Sequence, residues 1–251
     1  MQNIDLEGQI ALVTGGSGGI GRNICTSLAK AGATVAVGFH TNMAGAQLVS
    51  SECGNNSAIF QGDLGNPEDC RKVIDSVIAC YGRIDLLVNN AAISSKDGVH
   101  MNYVEWVKHW QQTLNGNLLS AVHMSYWTIL QMMKQKRGKI INIASRSAFR
   151  GETEYMAYAV SKAGMVNLTR CLARTHAGDG IQVYSVAPGF IEAGMGLSGI
   201  AEHGDEIRSQ IPSGKIGSPD DVANVVMFLA SPLSNYMTGS TIDINGGSYL
   251  H

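Results

Sequence analysis

Short apolar runs rich in β-branched residues recur along the chain: IALVT (10–14), TVAVG (34–38), SAIFQ (57–61), IDLLVN (84–89), KIINIAS (139–145), IQVYSVA (181–187) and TIDI (241–244). Their length and composition read as strands, and the stretches between them are long enough for crossover helices. Near-continuous apolar strands alternating with helices predict a parallel sheet covered on both faces. The expected fold class is α/β, a doubly wound Rossmann sheet of about seven strands with helices on both faces. Ligand should bind beyond the carboxyl ends of the strands, where the winding reverses.

The region FIEAGMGLSGIAEHGDEIRSQIPSGK (190–215) is weakly patterned and interrupts this rhythm just after a strand end. It reads as a mobile lid over a substrate or as an ordinary surface excursion. With no internal repeat, low-complexity tract or linker, residues 1–251 read as a single dinucleotide-binding and catalytic domain, with 190–215 as its substrate lid.

Composition narrows the partners. The chain has 251 residues, 45% hydrophobic and 15% charged, which suits one compact domain. A formal net charge of −2 and a pI near 6.4 give no general attraction to nucleic acid or to an anionic membrane. The N-terminus MQNIDLEGQIALVTGG lacks the charged and apolar regions of a signal peptide, and no stretch is apolar for long enough to span a bilayer, so a cytoplasmic protein is expected. Cys25, Cys53, Cys70, Cys80 and Cys171 are odd in number and scattered, with no CxxC pair. Neither a disulfide framework nor a metal site is expected.

The first strand runs into TGGSGGIG (14–21) and then a helical stretch. Gly15, Gly19 and Gly21 would let the chain turn tightly and bring backbone N–H groups against a pyrophosphate. A glycine-rich turn alone is a weak signal, but the strand before it and the helix after it supply the confirming context. No GKS or GKT follows, which disfavours a P-loop kinase or NTPase. At the end of the second strand, VGFHTN (37–42) carries no Asp or Glu to bind a ribose 2′-OH and repel a 2′-phosphate. NADPH/NADP is therefore the expected cofactor, with NAD possible. His40 is the candidate phosphate ligand, with Ser17, Thr41 and Asn42 as further donors, although histidine carries little charge at neutral pH. Asp63, in QGDLG, would accept a hydrogen bond from an adenine amino group or would cap the corner.

Hydride transfer to a carbonyl needs a proton donor at the developing alkoxide and a second hydrogen bond to hold that oxygen. In YMAYAVSK (155–162), Tyr158 and Lys162 stand one helical turn apart, whereas Tyr155 is seven residues from the lysine. Tyr158 is the expected acid, its pKa lowered by the lysine ammonium.

Taken together, TGGSGGIG, NNAA (89–92), Ser145, the YxxxK of Tyr158 to Lys162 and PG at 188–189 resemble, in order and spacing, the short-chain dehydrogenase/reductase family. The resemblance covers essentially the whole chain and is nearest to members of the 3-oxoacyl-[acyl-carrier-protein] reductase type. It implies that Tyr158 is the catalytic acid/base. It further implies that Lys162 binds the nicotinamide ribose and that Ser145, rather than Ser147, holds the substrate oxygen. The asparagine of the family's tetrad aligns on Asn117, with Asn115 as the alternative. Cofactor contacts are implied for Ile20 in the glycine turn and Leu64 beside Asp63. Asn90 and Ala91 would meet the adenosine side, and Pro188, Gly189 and Ile191 the nicotinamide. Three positions depart from the family pattern: NNAA for the commoner NNAG, Ala193 for a threonine that meets the carboxamide, and Gly18 for an arginine of many NADP-preferring members.

The expected function is reduction of a ketone, a small carbonyl compound or a 3-oxoacyl carrier thioester, to a secondary alcohol. Arg146, Arg150 and Lys96 are candidates for a basic entrance that would receive an acidic carrier. The rivals are an NAD-dependent alcohol, polyol or steroid dehydrogenase and a non-catalytic cofactor-sensing protein. Met101, Tyr103, Trp106 and Trp110 would line the substrate side or form core and subunit contacts. The resemblance also implies a homotetramer built by pairing long helices around 105–135 and 155–177.

Overall fold

The computed structural model describes residues 4–250. One parallel sheet of seven strands has the order β3-β2-β1-β4-β5-β6-β7. The strands are β1 (Ile10–Val13), β2 (Thr34–Phe39), β3 (Ala58–Gln61), β4 (Leu86–Asn89), β5 (Gly138–Ile143), β6 (Ile181–Pro188) and β7 (Thr241–Ile244). Each falls on an apolar run of the sequence.

Helices α1 (Gly19–Lys30), α2 (Met43–Cys53) and α8 (Pro219–Ala230) belong with one face of the sheet. Helices α3 (Pro67–Tyr81), α5 (Ser120–Gln135) and α6 (Met156–His176) belong with the other. The two-residue period of a strand explains the division. Ala11 and Val13 join a cluster with Ile24, Leu28 and Val226, while Leu12 between them joins Ile74 and Met124 on the opposite side. Full burial of a Leu or Ile contributes roughly 2 kcal/mol, so covering both faces is what lets an uninterrupted apolar strand be stable.

Sequence-local capping fixes several helix starts. Asn42, Asn66 and Asn102 accept backbone N–H groups at the starts of α2, α3 and α4 (Tyr103–Leu114). Ser218 and Asp221 form a reciprocal capping box on α8. Helix α4 continues through a π-helical turn, Asn115–Leu119, into α5, so 103–135 is one helical run, which packs beside α6 through α4 and the π turn.

Residues 190–215, weakly patterned in the sequence, contain α7 (Gly196–Ser209), with a non-helical break at His203. Gly196, Gly199 and Gly204 weaken its helical signature, and among its described residues only Ile207 is buried.

Strands β2 and β3 lie to one side of β1, and β4 to β7 to the other. The winding reverses between β1 and β4, and a crevice opens beyond their carboxyl ends. Among the described residues no helix is long and apolar enough to cross a membrane.

Candidate active site

The crevice holds a cavity of about 670 Å³ that extends from the loop after β2, across the carboxyl ends of β1 and β4, to Tyr158 and the loop after β6. At its centre the chain turns from β1 into α1. Gly15 lies at φ +63°, and a Cβ there would meet the Ala91 Cα at 3.0 Å; a Cβ on Gly21 would stand 2.2 Å from the Gly15 carbonyl oxygen. Both positions therefore need glycine, one for its backbone and one for closeness. The Thr14 hydroxyl accepts the N–H groups of Asn90 (2.9 Å) and Ala91 (3.0 Å), and Asn90 Nδ2 donates back to the Thr14 carbonyl (2.9 Å). These bonds tie the two strand ends together at the switch point.

Helix α1 starts at Gly18 with no side-chain cap and no acidic residue in its first turn. Its first-turn N–H groups and the positive end of its dipole thus remain for an anion. Ser17, Gly19, Ile20 and Gly21 all line the cavity there, a donor set that fits the pyrophosphate of a dinucleotide.

At the far end, His40 is exposed and lines the cavity with Thr41, Asp63 and Leu64. Asn42 is committed elsewhere: its side chain caps α2 through Gly45 N (3.0 Å) and reaches the Ser17 carbonyl (3.4 Å). Asp63 accepts the Gly65 N–H (3.0 Å) in a local turn, so the corner-capping reading of this residue is realised while the side chain stays on the cavity wall.

At the reacting end, α6 presents Tyr158 and Lys162 one turn apart, with Lys162 Nζ 5.6 Å from the Tyr158 ring centre. Tyr155 is the residue before the helix and also lines the cavity. Ser145 ends the segment after β5, where its hydroxyl accepts the Ser147 N–H (3.1 Å). Lys162 is 1% exposed and donates to the Ile143 carbonyl at 2.8 Å. Burial pulls its pKa down to about 7. Burial also raises the Tyr158 pKa, with hydrogen bonding from Ser145 working against it and the Glu152 charge adding to it. From the sequence the lysine is expected to depress the tyrosine; in this environment desolvation is the largest influence on both groups and the tyrosine is raised instead.

Asn117 does not line the cavity. It is fully buried in the π turn, where Oδ1 accepts Ile93 N–H (2.8 Å) and Nδ2 donates to the Ile93 carbonyl (2.9 Å) and Ser161 Oγ (3.1 Å). Ser161 Oγ in turn donates to the Tyr158 carbonyl at 2.6 Å. Asn115, the alternative, instead accepts from Gln111 on its own helix. Beyond β6, Pro188, Gly189 and Ile191 line the cavity, and Gly194 approaches the glycine turn closely enough that a Cβ on Gly19 would meet its Cα at 3.3 Å.

Residues not singled out from the sequence hold this frame. The buried carboxylate of Asp97 accepts the N–H groups of Met156 and Ala157, both at 2.8 Å, and so caps α6 from another part of the chain. Beneath the site, Asn89 donates to Ser125 (3.2 Å) and Asn142 (2.8 Å), and Asn142 donates to Thr169 (2.8 Å). This polar network links β4, β5, α5 and α6. The signal available for it was an Asn at matching ends of two strands.

The suggested basic entrance does not form as a free cationic patch. Lys96 pairs with Glu154 (3.1 Å), Arg150 donates to Gln210 (3.2 Å), and Arg146 is buried. Tyr103, Trp106 and Trp110 stack along α4 and take no part in the cavity wall. The five cysteines are free thiols, and among the described residues no group of three or more His, Cys, Asp or Glu could hold a metal ion.

Comparison with known proteins agrees with this architecture. A family model described as "Enoyl-(Acyl carrier protein) reductase" matches residues 15–249. The chain is 38% identical over 247 residues to the 3-oxoacyl-[acyl-carrier-protein] reductase FabG of Vibrio cholerae, covering 98% of this chain and 100% of the relative. It is 36% identical over 248 residues to the acetoacetyl-CoA reductase of Allochromatium vinosum, covering 97% and 99%. The structure of a putative NAD(P)-dependent gluconate 5-dehydrogenase from Beutenbergia cavernae, with bound NADP at low occupancy, superposes with a TM-score of 0.91 at 33% identity, covering 98% of this chain and 99% of that one. Full-length matches of this kind, on the sheet and crevice described above, establish that the chain belongs to the short-chain dehydrogenase/reductase family of NAD(P)-dependent oxidoreductases.

Proposed function

We propose that the protein is an NADPH-dependent reductase that converts a ketone to a secondary alcohol. The observation that carries this reading is the meeting of Ser145, Tyr158 and Lys162 in one cavity with the uncapped start of α1. Gly15, Ser17, Gly19, Ile20 and Gly21 would hold the pyrophosphate of the cofactor, and Asp63, Leu64, Asn90 and Ala91 its adenosine side. Pro188, Gly189 and Ile191 would flank the nicotinamide. NADP is favoured over NAD because His40 and Thr41, rather than an acidic residue, line the cavity just after β2, where a 2′-phosphate is expected to be read.

The bound cofactor supplies the hydride for the carbonyl carbon. Ser145 holds the substrate oxygen, and Tyr158 delivers its phenolic proton to that oxygen as the carbon–oxygen double bond becomes single. Lys162 holds the nicotinamide ribose and, when protonated, stabilises the phenolate left on Tyr158. Asn117 keeps the loop at Ile93 and the helix at Ser161 in register around these groups.

The FabG and acetoacetyl-CoA reductase relatives are named for acyl thioesters, and a 3-oxoacyl thioester or a small ketone is the proposed substrate class. The whole chain acts as one catalytic unit in this reading, with 190–215 as the lid. A cytoplasmic homotetramer is proposed, with exposed apolar residues on the long helices, among them Val104, Val107, Tyr126 and Val160, buried between copies. The test is NADPH consumption with acetoacetyl-CoA and a panel of small ketones. Oxidation of NADPH by one of them, faster than of NADH, is expected. Absence of turnover with all of them, despite tight cofactor binding, would favour the cofactor-sensing reading.

A further inference from the structure

Arg146 follows Ser145 directly and lines the same cavity, yet the mechanism above does not use it. Its side chain is buried, with the residue 5% exposed, and the guanidinium lies 4.6 Å from the Phe190 ring centre. Nη1 is buried with no hydrogen-bond partner, and no ion pair joins the group to any carboxylate among the described residues. The contrast with Arg83 is direct, since that guanidinium pairs with the buried Asp85. The charges facing Arg146 are Arg150 and Glu152. Glu152 takes the Ser147 hydroxyl at 2.9 Å, and Arg150 donates to Gln210. Burial, with the Arg150 charge adding to it, lowers the Arg146 pKa against a smaller opposing effect of Glu152.

A buried guanidinium without an anion is costly, and stacking on an aromatic ring offsets only part of that cost. The fork of N–H donors matches a carboxylate in two parallel hydrogen bonds, and a planar contact with Phe190 would fix its direction. A neutral thioester carbonyl would accept from the same group and leave its charge unbalanced. Arg146 therefore has the burial, the free donor and the position beside the proton donor that a substrate-reading group needs.

Resting on the reductase reading, we propose that Arg146 binds a carboxylate on the substrate, so that the ketone reduced in this cavity is an oxo acid. The carboxylate supplies the partner that Nη1 lacks, neutralises the buried charge and orients the ketone oxygen towards Ser145 and Tyr158. Arg146 is in this sense a specificity-determining residue rather than part of the proton transfer.

The test compares each acid with its methyl ester at three spacings between carbonyl and carboxylate: pyruvate, acetoacetate and levulinate. Wild type, Arg146→Met and Arg146→Lys are assayed with NADPH for kcat and KM. Binding of the same compounds to the NADP-saturated proteins is measured by calorimetry. For at least one spacing, wild type should prefer the acid about 30-fold or more, the scale of losing one partner of a buried charge pair. Arg146→Met should lose that preference by a rise in KM for the acid, while the ester stays within about threefold, and Arg146→Lys should recover part of it. Equal or better use of the esters by wild type overturns the proposal, as does an equal loss of acid and ester in Arg146→Met. If Arg146→Met does not fold, the wild-type ratio and Arg146→Lys decide. If nothing is turned over, including acetoacetyl-CoA, the reductase reading fails. Calorimetry then judges Arg146 alone: acid binding that Arg146→Met loses supports it, and equal acid and ester binding overturns it.

Discussion

Lys162 reaches 2.8 Å from the Ile143 carbonyl in the buried floor of the site, one helical turn from Tyr158. The contact satisfies one of the ammonium's three donors with a neutral acceptor, so burial still dominates and pulls the pKa from 10.5 to about 7.

A pH dependence of stability follows. Above pH 7 the folded protein releases the Lys162 proton, while the unfolded lysine keeps it up to 10.5. The unfolded state then binds more protons, so stability should rise with pH from about 7 to about 10. Lys139, lowered to about 8 by burial, adds to the upper part of that rise, so the Lys162 share is read as a difference. In thermal melts without cofactor, Lys162→Met should show a smaller gain between pH 7 and pH 9 than wild type. Parallel curves for the two proteins would contradict the buried, depressed lysine.

Asp97 caps α6 through two N–H groups, those of Met156 and Ala157, immediately before Tyr158. Asp97→Ala should cost about 2–3 kcal/mol in urea denaturation, and Asp97→Asn about half of that. Turnover should fall in both because the start of the helix carries Tyr158. An unchanged midpoint in Asp97→Ala would show that the cap contributes nothing.

The two candidate asparagines separate by their partners. Asn117→Ala removes three hydrogen bonds in a fully buried place and should cost about 2 kcal/mol or more together with activity. Asn115→Ala should stay within about 0.5 kcal/mol. Equal effects on turnover would contradict the assignment of Asn117.

Gly18 has extended backbone, φ 176°, and a Cβ there would meet nothing within 4 Å. An arginine should be accommodated and add a charge at the cofactor crevice. Gly18→Arg is expected to raise the preference for NADPH over NADH about tenfold, measured as the ratio of dissociation constants. A ratio that falls would place the 2′-phosphate elsewhere.

The sheet is legible in the sequence because its inner strands are buried on both faces and so read as apolar runs, and the glycine turn because Gly15 and Gly21 answer to steric demands local to the chain. Helix α7 was hidden by its three glycines and its open setting. Asp97 was hidden because it caps a helix start 59 residues further along, a relation no local pattern carries. Arg146 was visible only as a cation near the mouth. Its burial beneath Phe190 depends on how two loops meet, which charge and spacing do not reveal.

The proposed mechanism rests on Tyr158 as the proton donor in ketone reduction. Single-turnover oxidation of NADPH by wild type and Tyr158→Phe, with NADPH affinity measured alongside, tests it most directly. Unchanged affinity and a rate lower by about 10² or more are expected for Tyr158→Phe. A Tyr158→Phe enzyme that binds NADPH and reduces ketone at a near-normal rate would contradict it.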